Sequence, residues 1–199
     1  MALPVLPQSN AGGSVKQREV ALKKHLDYFV GMKETGGANR GWLPDISNEL
    51  VGVPKGSFWC ASFAYFMYHT SPPCYTAVRS AYVPSWGARG TGLVLTHDRR
   101  WRTPAGYKPF LKPGCLFTIY FPGKKRDAHI GIIYEVAKDS MSFKTVEGNA
   151  SNGLSRNGDG VYKNTRRSNT VSKCLCPPEA LTAEEFERWF IKKPYKLRK

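Results

Sequence analysis

The string Ser57-Phe58-Trp59-Cys60-Ala61-Ser62-Phe63-Ala64-Tyr65-Phe66-Met67-Tyr68 constrains this chain more than any other. Cys60, Phe63, Ala64 and Met67 recur at i, i+3, i+4 and i+7, which is one helical face. The spacing predicts a core helix with a cysteine in its first turn. Ser57 is the expected N-cap, because its hydroxyl can accept a free backbone N–H. Pro54 and Gly56 suit a tight lead-in loop. A thiol at the positive end of a helix dipole loses its proton more readily, and the thiolate is the reactive form. The competing reading is a small core residue, the commoner fate of a cysteine beside Trp on an apolar helix. A nucleophile needs a base and a group to orient that base, so the rest of the chain must supply both.

Before this stretch, Ser14 with Gln17 three residues on forms a capping-box pattern, and Val15, Leu22, Leu26 and Phe29 make the apolar stripe of a first helix. That helix is expected to end near Gly31 and Met32. The glycine-rich run 34–41 lacks the spacing and strand context of a phosphate-binding loop, which excludes nucleotide binding there. Glu34 and Asn39 are read as loop-fixing residues. A short helix over 44–51 should stop at Gly52.

After Ser71-Pro72-Pro73 the chain turns irregular over 74–112, punctuated by Pro and Gly, with Trp86 and Trp101 inside. Then the period changes. Residues 115–121, 128–136 and 142–149 are rich in β-formers and read as strands, with 160–163 as a fourth. Thr182 with Glu185 opens a last helix, docked by Phe186, Trp189 and Phe190. Helices first and a strand meander after is an α+β layout, N-terminal helices on a small antiparallel sheet. The expected organisation is a lead over 1–13, one domain over 14–190 and a basic tail over 191–199.

Lys and Arg number 30 against 15 Asp and Glu, a formal charge of +15. Such a surface attracts polyanions: nucleic acid, anionic lipid or the acidic polymers of a bacterial envelope. The five cysteines, Cys60, Cys74, Cys115, Cys174 and Cys176, show no CxxC pairing, so no structural zinc is expected; the odd count allows one free reactive thiol with or without disulfides among the others, and reduced thiols are the simpler reading. Met1-Ala2-Leu3-Pro4 begins no basic n-region, so the expectation is a chain made in the cytoplasm without a signal peptide.

His129 opens the second strand, and Glu147 and Asn149 stand two apart at the end of the third, on one face while the strand lasts. If these strands are neighbours and the cysteine helix packs on them, Cys60, His129 and Glu147 or Asn149 form nucleophile, base and orienter. Glu147 ranks first as orienter; Asn149 is the alternative, or a substrate or loop anchor. His25, His69 and His97 have no matching partners and read as packing or surface residues. Trp86 and Tyr120 are minor candidates for a groove wall, with core packing the better reading.

The strings Trp59-Cys60-Ala61-Ser62-Phe63, Ala128-His129-Ile130-Gly131-Ile132 and Val146-Glu147-Gly148-Asn149 resemble the CHAP family of cysteine- and histidine-dependent amidohydrolases/peptidases. The resemblance extends upstream over 34–41 and downstream to Gly153, Ser155, Arg156, residues 158–161, Arg166 and Arg167. It implies a papain-like core of the NlpC/P60 group. It also implies hydrolysis of peptidoglycan peptide amides, by an amidase or endopeptidase of the phage-lysin or antibacterial-effector kind. The implied mechanism has Cys60 attack and His129 relay the proton, with the Cys60 backbone N–H meeting the oxyanion. Pro113-Gly114-Cys115 departs from the family's Pro-Gly-Asp. No D-x-D-type acidic loop occurs, so neither a cofactor nor a metal is expected. The implied partners are peptidoglycan and, by charge, the anionic envelope, with no specific nucleic acid and a monomeric state. The place of action would be the periplasm or cell wall, after release or injection. Two other classes compete: a non-catalytic basic module holding an anionic envelope polymer or nucleic acid, and a general cysteine protease.

Overall fold

A computed structural model describes residues 13–99, 111–151 and 158–187. The capping box of Ser14 and Gln17 starts α1, Val15–Phe29, which buries Leu22, Leu26 and Phe29. The second helix, α2 (Trp42–Val51), begins two residues earlier than expected and stops at Gly52. The cysteine helix is α3, Cys60–Thr70. Its cap is Trp59, with no side-chain hydrogen bond, which corrects the expected Ser57 cap. Asn48 Nδ2 instead donates to the Ser57 carbonyl at 3.0 Å, so the loop continues two residues further and Cys60 becomes the first helical residue.

The irregular stretch holds more order than expected: a short helix α4 (Val83–Trp86) and a strand β1 (Val94–Asp98). Trp101, Pro104, Gly106 and Pro109 lie outside the described residues, as do Gly153, Ser155, Arg156, Trp189, Phe190 and the basic tail. The remaining strands are β2 (Leu116–Phe121), β3 (Arg126–Val136), β4 (Ser142–Ala150), β5 (Gly160–Arg167) and β6 (Lys173–Cys176). They form one antiparallel sheet in the order β1-β6-β2-β3-β4-β5. A capping box at Thr182 and Glu185 starts α5, Ala183–Phe186. The architecture is α+β, and among the described residues no helix is long and apolar enough to cross a membrane.

Strand β6 carries the Cys174-Leu175-Cys176 triplet, and it draws Cys176 into a disulfide with Cys115. That overturns the simpler reading of all five cysteines as reduced; Cys60, Cys74 and Cys174 remain thiols.

The core lies between α1, α3 and the sheet. Trp59, Phe63, Phe66, Phe117, Ile130, Ile132, Phe143 and Val146 are all buried in it. Each such side chain contributes about 1.5–3 kcal/mol by leaving water. Trp86 is fully buried, so it is core and no groove wall. Tyr120 stacks instead under the Arg99 guanidinium, 3.6 Å from its ring centre.

Two glycines let these layers close. A Cβ on Gly148 would lie 2.4 Å from Cγ of Phe63, so α3 rests directly on the β4 backbone there. A Cβ on Gly131 would lie 2.7 Å from both Glu147 Cγ and Phe117 Cε1, so β3 leaves the space that the Glu147 side chain occupies. Close approach of this kind is a use that only glycine serves.

Candidate active site

Cys60 is fixed from both sides of the loop that precedes it. Trp59 Nε1 donates to Glu34 Oε1 at 2.9 Å, and the Asn39 backbone N–H donates to Glu34 Oε2 at 2.7 Å. Glu34 thus clamps the residue before the cysteine to the glycine-rich loop, the fixing role its position suggested. The Asn48 bond to Ser57 holds the other side. As the first residue of α3, Cys60 keeps its own backbone N–H free of any intrahelical acceptor.

His129 sits in β3 opposite Ile119 of β2, beside a register shift between Ile119 and Tyr120. Such bulges re-aim side chains near functional sites. Its Nε2 lies 2.6 Å from Glu147 Oε2. The carboxylate can only accept, so Nε2 carries the proton, which leaves Nδ1 as the ring nitrogen available to the Cys60 thiol. Glu147 is wholly buried and fully partnered: Arg166 forks onto it, Nε to Oε1 at 2.8 Å and Nη2 to Oε2 at 2.6 Å, and Thr145 Oγ1 donates to Oε1 at 2.5 Å. The result is a line of four ionisable groups, Cys60, His129, Glu147 and Arg166, running from the groove into β5.

The electrostatics follow from this line. Burial alone would raise the Cys60 thiol, but the hydrogen bond and charge of His129, with backbone N–H groups of Ile130 and Ala61, bring it below its ordinary value. Burial alone would depress the His129 imidazolium, but its bonds to Cys60 and Glu147 outweigh that and hold it well above the usual imidazole range. Burial likewise opposes the Glu147 charge, and the Arg166 fork and His129 overcome it, so the carboxylate stays ionised far down the pH scale. Opposite charges this close favour each other's charged forms. The three shifts converge on a thiolate–imidazolium pair backed by a carboxylate.

Cys60, His129 and Asn149 line a groove of about 510 Å³ together with Ser57, Phe58 and Tyr82. Glu147, and not Asn149, takes the ring nitrogen. Strand alternation breaks at Asn149, where φ is +50° and the β4–β5 register shifts, and this turns the residue toward the groove. His25 packs against Thr70 (Nε2 to Oγ1, 2.9 Å), burial lowering it to about 4. His69 stacks on Tyr65, and His97 is buried in β1; none of the three joins the site. Among the described residues no group of His, Cys, Asp and Glu has the clustering a metal ion requires.

The residue sequence reasoning missed is Arg166. Once Phe143 is seen opposite Arg166 and Glu147 opposite Tyr162, the two-residue period puts Arg166 and Glu147 on one face. Register was the missing information.

No protein-family model matches the chain, and no curated protein matches it. A solved structure does: the crystal structure of a wild type endolysin, LysIME-EF1, superposes with a TM-score of 0.46 at 16% identity, covering 80% of this chain. The chain spans 64% of that endolysin's length.

Proposed function

We propose that this chain is a cysteine-dependent peptidoglycan hydrolase of the CHAP type on a papain-like core. It would act as an N-acetylmuramoyl-L-alanine amidase or as an endopeptidase of the stem peptide or cross-bridge. One observation carries the reading: a thiol and an imidazole line one groove, and a buried carboxylate holds the imidazole at 2.6 Å. Those are the parts of nucleophilic acyl transfer.

The chemistry follows from the parts. The Cys60 thiolate attacks the amide carbonyl carbon, and the oxyanion that forms is met by the free Cys60 backbone N–H. His129, held as imidazolium by Glu147, gives its proton to the leaving amine as the C–N bond breaks. A thioester remains on Cys60. His129, now neutral, takes a proton from water, and the hydroxide attacks the thioester carbonyl. The acid departs and the thiolate is restored. Glu147 fixes the ring tautomer, Arg166 keeps Glu147 charged, and Asn149 faces the substrate.

The excess of basic residues, 30 against 15, suits approach to an anionic envelope, whether as a phage lysin or as an antibacterial effector acting in the periplasm or wall. The test is mass spectrometry of muropeptides released from purified peptidoglycan, with Cys60→Ala as control. The reading expects new amine termini that name the bond, absent with Cys60→Ala. Wall binding without release, equal in both proteins, would instead establish a basic binding module. Cleavage of unfolded proteins with intact wall untouched would establish a general protease.

A further inference from the structure

Among the described residues, the charged side chains lining the groove apart from His129 are Arg79, Lys124 and Arg126, with no acidic residue beside them. Elsewhere cations meet carboxylates: Lys33 with Asp159, Arg40 with Asp45, Lys144 with Glu135, Lys163 with Asp27. In the groove, none of the three forms an ion pair among the described residues, yet each is tethered. Arg79 Nε donates to the Leu50 carbonyl at 2.7 Å, leaving both terminal nitrogens with hydrogens to give. Arg126 lies 5.0 Å over the Tyr82 ring, one terminal nitrogen on the Asp127 carbonyl at 3.2 Å. Lys124 Nζ sits 5.1 Å from the Phe58 ring centre and 5.9 Å from that of Phe121.

Such tethering reduces the freedom these side chains would lose on binding, which is pre-organisation for a ligand. A guanidinium fork matches a carboxylate in two parallel hydrogen bonds, where a neutral amide offers only one acceptor. Phe58, Tyr82 and Phe121 are exposed at the same rim and offer apolar faces to a chain lying between them.

We propose that the groove reads a free carboxylate on the peptide beside the scissile amide, and that Arg79 and Arg126 are the residues that read it. The substrate class is an acidic peptide, one whose stem carries an unamidated carboxyl group; amidation of that group removes the charge and the second acceptor. Lys124 adds positive potential at the rim. This specificity rests on the hydrolase reading of the same site.

The test uses the Cys60→Ala protein and two fluorescein-labelled peptides with amidated C-termini: L-Ala–D-isoglutamate–L-Lys–D-Ala and its D-isoglutamine counterpart. Binding is followed by anisotropy at physiological salt. The carboxylate peptide is expected to bind about tenfold more tightly, the scale of a charge-assisted hydrogen bond. Arg79→Gln with Arg126→Gln should erase the difference, and Lys16→Gln, on α1 away from the groove, should preserve it. Equal affinity for both peptides, no saturable binding of either, or a preference that survives the double substitution would each overturn the inference. Muropeptide release by the unsubstituted protein from peptidoglycan with isoglutamate or isoglutamine stems separates the two claims. Release without preference leaves a hydrolase and removes the carboxylate reader, whereas preferential peptide binding without release from either peptidoglycan does the reverse.

Discussion

Two buried thiols, Cys60 at the head of α3 and Cys174 in β6, differ in the groups that face them. Cys60 heads a helix and faces an imidazole and two backbone N–H groups; its thiol is held below its ordinary value. Cys174 lies mid-strand in β6, fully buried, and burial pushes its thiol up to about 12, the Thr96 hydroxyl only partly offsetting this. Burial acts on both sulfurs in the same direction. The difference therefore comes from the charged partner and the aimed donors: His129 and the Ile130 N–H come from β3, far from either cysteine in sequence, and the Ala61 N–H comes from the start of α3 itself. Residue type and burial make a core thiol; a histidine held by a carboxylate makes a nucleophile.

The largest effect that could break this contrast is on turnover. Cys60→Ala should reduce muropeptide release by about 10⁴-fold or more, while Cys174→Ala should leave it within about twofold. A loss from both, or from Cys174 alone, would erase the distinction. Next is Glu147→Gln, which keeps a hydrogen-bond acceptor but removes the charge. A drop of about 10²–10³-fold in kcat is expected, in the range of a lost general-base contribution. The pH profile sharpens this. Activity needs thiolate and imidazolium together, so it should rise at a pH below the ordinary thiol value and fall only well above the ordinary imidazole value. Without the Glu147 charge the imidazolium is less favoured, and the alkaline limb should move to lower pH. A limb that stays in place would show that Glu147 is merely structural.

Much of this arrangement was legible in the residues themselves. The 3.6-residue period of the cysteine helix, the capping boxes at Ser14 and Thr182, and the three central strands are local patterns, and each formed where its pattern lies. What was hidden is non-local. Strands β1 and β6 are short and carry His97, Asp98 and Lys173, poor β-signals alone, and they exist because they pair with each other across a long sequence separation. The Cys115–Cys176 disulfide follows from that pairing and from that of β6 with β2. Arg166 became visible only through the register of β4 and β5. The Ser57 cap failed for the opposite reason: the local pattern was adequate, but Asn48 holds its carbonyl and keeps the chain out of helical geometry for two more residues.

A smaller effect tests the packing that separates the two cysteines' environments. Gly148→Ala drives a methyl into Phe63 and should destabilise the fold by about 1–3 kcal/mol in denaturant melts, with α3 displaced and turnover reduced. Smallest of all, Cys174→Ala should cost about 1 kcal/mol, the loss of one buried atom with a small void, and nothing in the pH profile. A large shift of that profile would mean the sheet couples the two thiols.

The most direct measurement is the rate of Cys60 alkylation by iodoacetamide as a function of pH. It is made in a Cys74→Ser background so that the exposed thiol does not report, and repeated with His129→Ala. Alkylation should titrate with a midpoint below the value of about 8.5 for a free thiol, and His129→Ala should move that midpoint to or above the free-thiol value. A midpoint at or above the free-thiol value in the histidine-containing protein, or one that His129→Ala leaves unmoved, would contradict the account.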